Sequence, residues 1–515
     1  MAQPQTLRLI LGDQLNTEHS WFRQQEDHVC YLMAEIRQET DYVKHHIQKV
    51  TGFFAAMRSF AKHLEKLGHR ILYIPISENQ SHSFDILITE QIQLQNIQKF
   101  EYQEPDEYRL DAQLQSLCER LAQNNIETQM QSSEHFLTQR NTLTLFFEGK
   151  KQALMESFYR MMRKKSGYLM IGGQPEGGKW NYDGENRSSF KDQVPIPAIP
   201  LLKNDIKAIV DEICAENIQY IGEIDINNFN WPINRTQGIE LLKHFCEHLL
   251  PYFGKYQDAL YSEDPFLFHS RLSFALNLKM ISPKEVIEHS IEAYHNNRHD
   301  VSLSQIEGFV RQILGWREYM RGMYWREMPE YANLNALEHR NALPLFYWTG
   351  NTKMKCLEKA ISQSLKHSYA HHIQRLMVTG NFALLTQIDP DQLDQWYLGI
   401  YIDAIEWVEM PNTRGMSQYA DFGKIATKPY ISSANYIDKM SNYCKSCHYN
   451  AKAKKGEDSC PFNSLYWNFL DHHRNKLSSN PRMGMMYRLL EKKNQEEMQE
   501  IRDRASKIIK NPDLF

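Results

Sequence analysis

Cys444-Lys445-Ser446-Cys447 is a CxxC pair, and Cys460 follows 13 residues later with Pro461 behind it. Cys356 is the only other cysteine in the last 260 residues. Three clustered thiols and one remote thiol make a four-cysteine set if the fold carries Cys356 across. Such a set binds Zn²⁺ or an iron–sulfur cluster as thiolates. A Cys-Pro step after the final ligand is typical of ferredoxin-type runs, and zinc sites share it. Cys444 to His448 also reads CxxCH, the haem-attachment pattern. That chemistry needs export to an oxidising compartment, and the chain shows no address for it. A purely structural role for the thiols is the third reading. Cys30, Cys118, Cys214 and Cys246 lie singly in apolar patterns, as core residues do.

A second cluster packs three histidines into six residues, His367-Ser368-Tyr369-Ala370-His371-His372. Arg375 stands four positions after His371, on the same helix face. A later stretch, expected to be one helix, carries Trp396, Tyr397, Asp403, Glu406, Trp407 and Glu409. If the two helices pack antiparallel, Arg375 can pair with Asp403 and hold them in register. Adjacent histidines in a pocket can pass protons to a substrate; the plainer reading is surface histidines plus one in the core. Trp348, Trp396, Tyr397 and Trp407 can relay electrons or simply fill a helical core. Phe268-His269-Ser270-Arg271-Leu272-Ser273 offers hydroxyls and a guanidinium before a helix, enough to grip a pyrophosphate or only to cap the helix.

Short apolar runs at Thr6–Leu11, Val29–Ala34 and Arg70–Ile76 have strand length. Between the last two, Val43, Ile47, Val50, Phe54, Met57, Ala61 and Leu64 recur three and four apart, and Gly68 sits where a helix ends. Strand, helix, strand predicts a βαβ crossover and a parallel sheet. A second helix on Leu110, Leu114, Leu117 and Leu121 precedes a strand near Glu127–Met130. Gly12-Asp13-Gln14 ends the first strand, where such sheets place ligands. Residues 140–240 hold the glycine-rich Ile171–Gly178 and the three-proline Val194–Pro200, which predict a linker across the surface. Beyond about residue 240 the pattern is helical. Ser304 to Glu307 reads as a capping box, and Asp389-Pro390 predicts a helix running towards Val408.

At 515 residues, two or three compact units are expected. Hydrophobic residues are 42% and charged residues 24%, which excludes a disordered or collagen-like chain. No apolar run reaches the length of a membrane span, and mean hydropathy is −0.59. Eight cysteines and no export signal point to a reducing, cytoplasmic setting. Net charge is −4, yet residues 431–515 carry 15 Lys+Arg against 10 Asp+Glu. A nucleic-acid partner therefore has its basic patch late in the chain; the plainer reading is a solvated helical face.

Several segments together resemble the photolyase/cryptochrome flavoproteins, and more narrowly their bacterial iron–sulfur branch, the prokaryotic (6-4) photolyases. They are Leu11-Gly12-Asp13-Gln14-Leu15, Lys179 to Arg187 (KWNYDGENR), His269 to Ser273, Gly315-Trp316-Arg317-Glu318-Tyr319, His371 to Leu376, Tyr401 to Glu409 and the four cysteines. The resemblance implies an α/β plus all-α fold: a Rossmann-like antenna domain over 1–140, a long linker over 141–240, and a helical FAD domain over 241–515. It implies FAD held by Ser270, Arg271, Leu272, Ser273, Trp316, Arg375, Asp403 and Glu409. It implies a [4Fe-4S] cluster on Cys356, Cys444, Cys447 and Cys460, and 6,7-dimethyl-8-ribityllumazine near Gly12, Asp13, Gln14 and Glu35.

The activity implied is light-driven reversal of (6-4) photoproducts in UV-damaged DNA, by a monomer with no membrane. His371 or His372 is the proton donor, Glu409 faces the flavin N5, and Tyr430 touches the lesion. Trp396, Tyr397 and Trp348 photoreduce the flavin. Two departures stand out: Thr413 replaces one tryptophan of the better-known photolyase chain, and Leu376 replaces the second histidine of animal-type (6-4) enzymes. Lys445, Lys452, Lys454 and Lys455 are placed to meet phosphates. The alternatives are a blue-light cryptochrome with the same cofactors, and a zinc-stabilised nucleic-acid-binding protein.

Overall fold

The computed structural model describes residues 4–191 and 194–515. Five parallel strands form one sheet: β1 (Thr6–Leu9), β2 (Val29–Ala34), β3 (Ile71–Ile74), β4 (Lys99–Gln103) and β5 (Glu127–Gln131), in the order β3-β2-β1-β4-β5. Thr6 aligns with Val29 on one side and Lys99 on the other. The strand order therefore reverses at β1, and a crevice opens beyond its carboxyl end, at Gly12-Asp13.

The helix expected between β2 and β3 from Val43 onward spans Ile47–Lys66, and Val43 lies in the turn before it. It buries Ile47, Val50, Phe54, Met57, Ala61 and Leu64, and Gly68 follows it at φ 86°. Tyr108–Gln123 likewise buries its four leucines. β4 has no clear signal in the sequence, because Lys99 and Glu101 interrupt its apolar pattern. Glu101 is nonetheless buried, since Arg8 on β1 lies 2.6 Å from it.

Residues 155–166 form a helix whose Phe158 and Tyr159 are fully buried in the largest core. The glycine-rich stretch makes a tight hairpin, Met170–Ile171 against Gln174–Pro175, turned by Gly172 and Gly173 at positive φ. Two helix expectations need correction. Helix Leu303–Val310 starts after Ser302, not at Ser304. Glu307, the expected capping partner, instead accepts from Tyr159 Oη and the Tyr182 N–H. The helix after Asp389 is capped as expected but stops at Ile400, and a new one starts at Glu406. The five-residue break holds Asp403. Among the described residues no helix is long and apolar enough to cross a membrane.

Candidate functional site

The break Tyr401–Ile405 faces the turn entering His372–Gln374, and the two segments meet through charge. Arg375 Nη2 lies 2.9 Å from Asp403 Oδ1, its Nε donates to the Ala370 carbonyl, and its guanidinium sits 3.8 Å over the Tyr401 ring. Ser273 Oγ donates to the other Asp403 oxygen at 2.6 Å, and Asn277 Nδ2 to the Asp403 carbonyl. Arg317 in turn donates to Asn277 and stacks over Trp407. Arg375 and Ser273, from two chain regions, thus converge on one carboxylate. Asn277 and Arg317 have no sequence signal for this role, since only the fold brings Asn277 to Asp403 and Arg317 to Asn277.

His371 is buried and His372 is open to solvent. Burial, then His269, His372 and Arg375, pulls the His371 pKa well below the ordinary histidine value. The protein around His372, then Arg375, lowers its pKa also. Beside them Arg271 is buried at φ 57°, stacked on Trp231 and Phe266, with one nitrogen on the Asn230 carbonyl. Its Nε and Nη1 are buried without a partner. Leu272 is buried, Ser270 is half-buried, and Trp316 is half-buried with its ring edge-on to Tyr319.

Glu409 is buried and accepts from Thr413 Oγ1. Burial and then Asp394 raise its pKa well above the carboxylate range. Asp394 is itself pushed up to about 7 by burial, although Arg414 lies 2.5 Å away. Trp396 donates to the Tyr347 carbonyl at 3.1 Å and packs 5.4 Å from Tyr397, which packs 5.4 Å from Tyr401. Trp348 is 39% exposed. Tyr430 is half-buried, and burial raises its pKa against the pull of Arg482 and Arg187.

Cys356, Cys444, Cys447 and Cys460 all line one small cavity, with Met354, Tyr443 and Tyr449 around them. Helix Lys355–His367 supplies Cys356 from its first turn, and Cys460 caps the helix Pro461–His472. Among the described residues no group of three or more such side chains is close enough to hold a metal ion.

A larger pocket lies at the strand-order reversal. Gly12, Asp13, Glu35, Glu39, Tyr42, His45, Lys49 and Glu107 line it, and Ala404 and Ile405 close it from the helical side. His45 is buried with neither ring nitrogen partnered. Glu35 is held by Arg58 and Tyr73, and Asp13 by Lys279 at 2.8 Å. Gln14 does not line the pocket: it takes the Leu11 N–H and donates to the Gln103 and Glu104 carbonyls, so it shapes the loop. Glu39, Tyr42, His45, Lys49 and Glu107 escape a reading of the sequence because they are scattered over a short helix, the turn after it, the start of Ile47–Lys66 and the residue before Tyr108–Gln123.

Residues 8–231 match the family model of deoxyribodipyrimidine photo-lyase-related proteins. The (6-4) photolyase of Agrobacterium fabrum is 39% identical over 98% of this chain and 99% of its own. An uncharacterized protein of Acanthamoeba polyphaga mimivirus is 34% identical over 26% of the chain. The crystal structure of a bacterial class III photolyase from Agrobacterium tumefaciens superposes with a TM-score of 0.59 at 15% identity, over 99% of this chain and 98% of that one. The cryptochrome of Synechocystis sp. PCC6803 has the same TM-score at 11% identity, over 98% and 99%. These two establish the two-part fold that the sequence resemblance implied. By its 39% identity along essentially the whole length, the chain belongs to the (6-4) photolyase family.

Proposed function

We propose that the protein is a light-dependent lyase that reverses pyrimidine (6-4) pyrimidone photoproducts in UV-damaged DNA. One observation carries the reading. His371 and His372 open the same helical segment whose Arg375 pairs with Asp403, so proton carriers and a flavin-side charge pair share one rigid element. FAD held there would supply, reduced and excited, the electron that breaks the lesion.

The chain's own residues fit that group. The two unpartnered nitrogens of Arg271, flanked by Ser270 and Ser273, suit a pyrophosphate. Leu272 and Trp316 add apolar surface, and Arg375–Asp403 fixes the charge on the flavin side. Glu409, kept protonated by burial and Asp394, holds a proton where the family places the flavin N5. Of the two histidines, His372 is the proton donor, because its ring reaches the solvent from which substrate enters. Trp396 and Tyr397, with Trp348 at the surface, form an electron route into the site.

The lumazine fits the pocket at Gly12, Asp13 and Glu35, where unpartnered His45 nitrogens offer hydrogen bonds to a polar ring. The four cysteines that share one cavity fit a [4Fe-4S] cluster. Residues 1–140, 141–240 and 241–515 are read as antenna domain, linker and catalytic domain. The lesion leaves the stack at a cost of a few kcal/mol, lower in already distorted DNA. Tyr430 meets it, and Lys445, Lys452 and Lys454 meet phosphates, each contributing about 0.9 to the salt slope of log affinity.

Illumination of the reduced protein with DNA carrying a defined (6-4) or cyclobutane lesion tests the reading. Loss of the (6-4) product in light and not in the dark is expected. A protein that binds flavin and responds to blue light but leaves both lesions intact is a cryptochrome-type receptor, and the proposal fails.

A further inference from the structure

His269 stacks face to face on His371, ring centroids 4.5 Å apart and planes 15° from parallel. His371 is buried and His269 half-buried. Phe253 meets His269 edge-on at 6.0 Å and 90°, and the backbone N–H of His269 is tied to the Phe266 carbonyl. The His371 backbone N–H donates to Gln374 Oε1, and its ring reaches the Ala259 carbonyl. His269 Nε2 and His371 Nδ1 are buried with no partner. The charged and titratable groups that face His371 are His269, His372 and Arg375, and His269 faces His372.

Two stacked imidazoles this close cannot both be cations in a buried site, since each charge would face its like across a ring thickness. The stack therefore fixes the plane of His371 and keeps it from taking a proton. That matters for its neighbour. A protonated His371 would set a second positive charge beside His372 and make His372 harder to protonate. We propose that His269 is a positioning residue: its ring clamps His371 against the Ala259 carbonyl, and this leaves His372 as the only proton carrier of the cluster. The inference rests on the repair reading, and its first test needs neither light nor DNA.

Imidazole nitrogen resonances of the dark, flavin-loaded protein are followed from pH 5 to 8. In the wild type, and in His269→Phe, which keeps a flat ring, His371 stays neutral throughout. In His269→Ala water reaches His371 and it titrates. Repair by His269→Ala then falls about tenfold at pH 5.5, where His371 carries its proton, as one unit of downward shift in His372 implies, with little change at pH 8, where His371 is neutral again. His269→Phe repairs like the wild type at both. A His371 that stays neutral in His269→Ala overturns the proposal, as does a His269→Phe enzyme as impaired as His269→Ala, which would make the ring nitrogen itself the needed group. Should His269→Ala lose its fold or flavin, His269→Phe decides alone: titration of His371 in that variant, or loss of its repair, overturns the assignment. Absent repair by the wild type with unchanged resonances would instead reject the repair reading and leave the clamp standing.

Discussion

The ammonium of Lys49, on the helix that follows β2, donates to the Ala404 carbonyl at 2.8 Å and the Leu398 carbonyl at 2.7 Å. Ala404 is the next residue after Asp403, and both Lys49 and Ala404 line the pocket at the sheet's edge. Lys49 is thus a strut between the α/β half and the segment that pairs with Arg375. Burial lowers its pKa to about 8, against the pull of Glu107 and Asp403.

Lys49→Met keeps the chain's volume and leaves two buried carbonyls without a donor. Hydrogen bonds to charged groups contribute about 1.5–3 kcal/mol. The variant is expected to melt earlier by that order and to release FAD at a lower temperature. Equal flavin-release and melting temperatures in the variant and the wild type would remove Lys49 from this role.

Much of this frame is legible in the sequence. Ile47 to Leu64 repeat at helical spacing, and the pairing of Arg375 with Asp403 follows once their two segments are taken to pack together. What escapes has a common cause. Glu101 in β4 is masked by an Arg8 partner 93 residues away. His269 stacks on a residue 102 positions later, and Lys49 serves carbonyls, which carry no side-chain signature. Local patterns report the apolar face of an element. They do not report which polar group finds its partner across the fold.

Asp403→Asn removes the charge opposite Arg375 but keeps the shape. Breaking one partner of a buried pair costs about 3–5 kcal/mol, because the other charge stays uncompensated. Arg375 keeps some solvent contact, so the lower end is expected, together with loss of the bound-flavin absorption. Asp403→Asn protein that binds FAD as the wild type does would show that the pair is dispensable for cofactor retention.

His339 and His473 share a hydrogen bond, Nε2 to Nε2, at 3.0 Å, and both are buried. Burial, and then the neighbouring histidines, pulls their pKa values to about 3 and about 4. In the unfolded chain both titrate near 6.5. Between those values the unfolded state binds the proton and the native state does not, so stability falls as pH drops from about 6.5 toward 4. Each such group contributes at most about 1.4 kcal/mol per pH unit. His339→Asn should therefore flatten the pH dependence of denaturant stability in that window, while costing about 1 kcal/mol at pH 7 for the lost bond. An unchanged slope would mean that the pair takes up a proton without resistance in the folded protein.

The cysteine cavity makes a sharper demand on the chemistry. Cys444 and Cys460 have their pKa values pushed up to about 12, chiefly by burial, so as bare thiols they would stay protonated. Thiolates are what a cluster requires, and its positive irons supply the compensating charge that burial withholds. Two thiols come from one short loop, one from the cap of Pro461–His472 and one from the start of Lys355–His367, so the bound group would staple three elements. Cys444→Ser is expected to lose iron and acid-labile sulfide in equal measure, to lose the broad brown absorption, and to lower the melting temperature. Cys118→Ser and Cys214→Ser, which lie outside the cavity, should change none of these. Zinc in place of iron in the wild type, by metal analysis, would keep the staple and reject the cluster. Full stability of the metal-free Cys444→Ser variant would reject the staple itself.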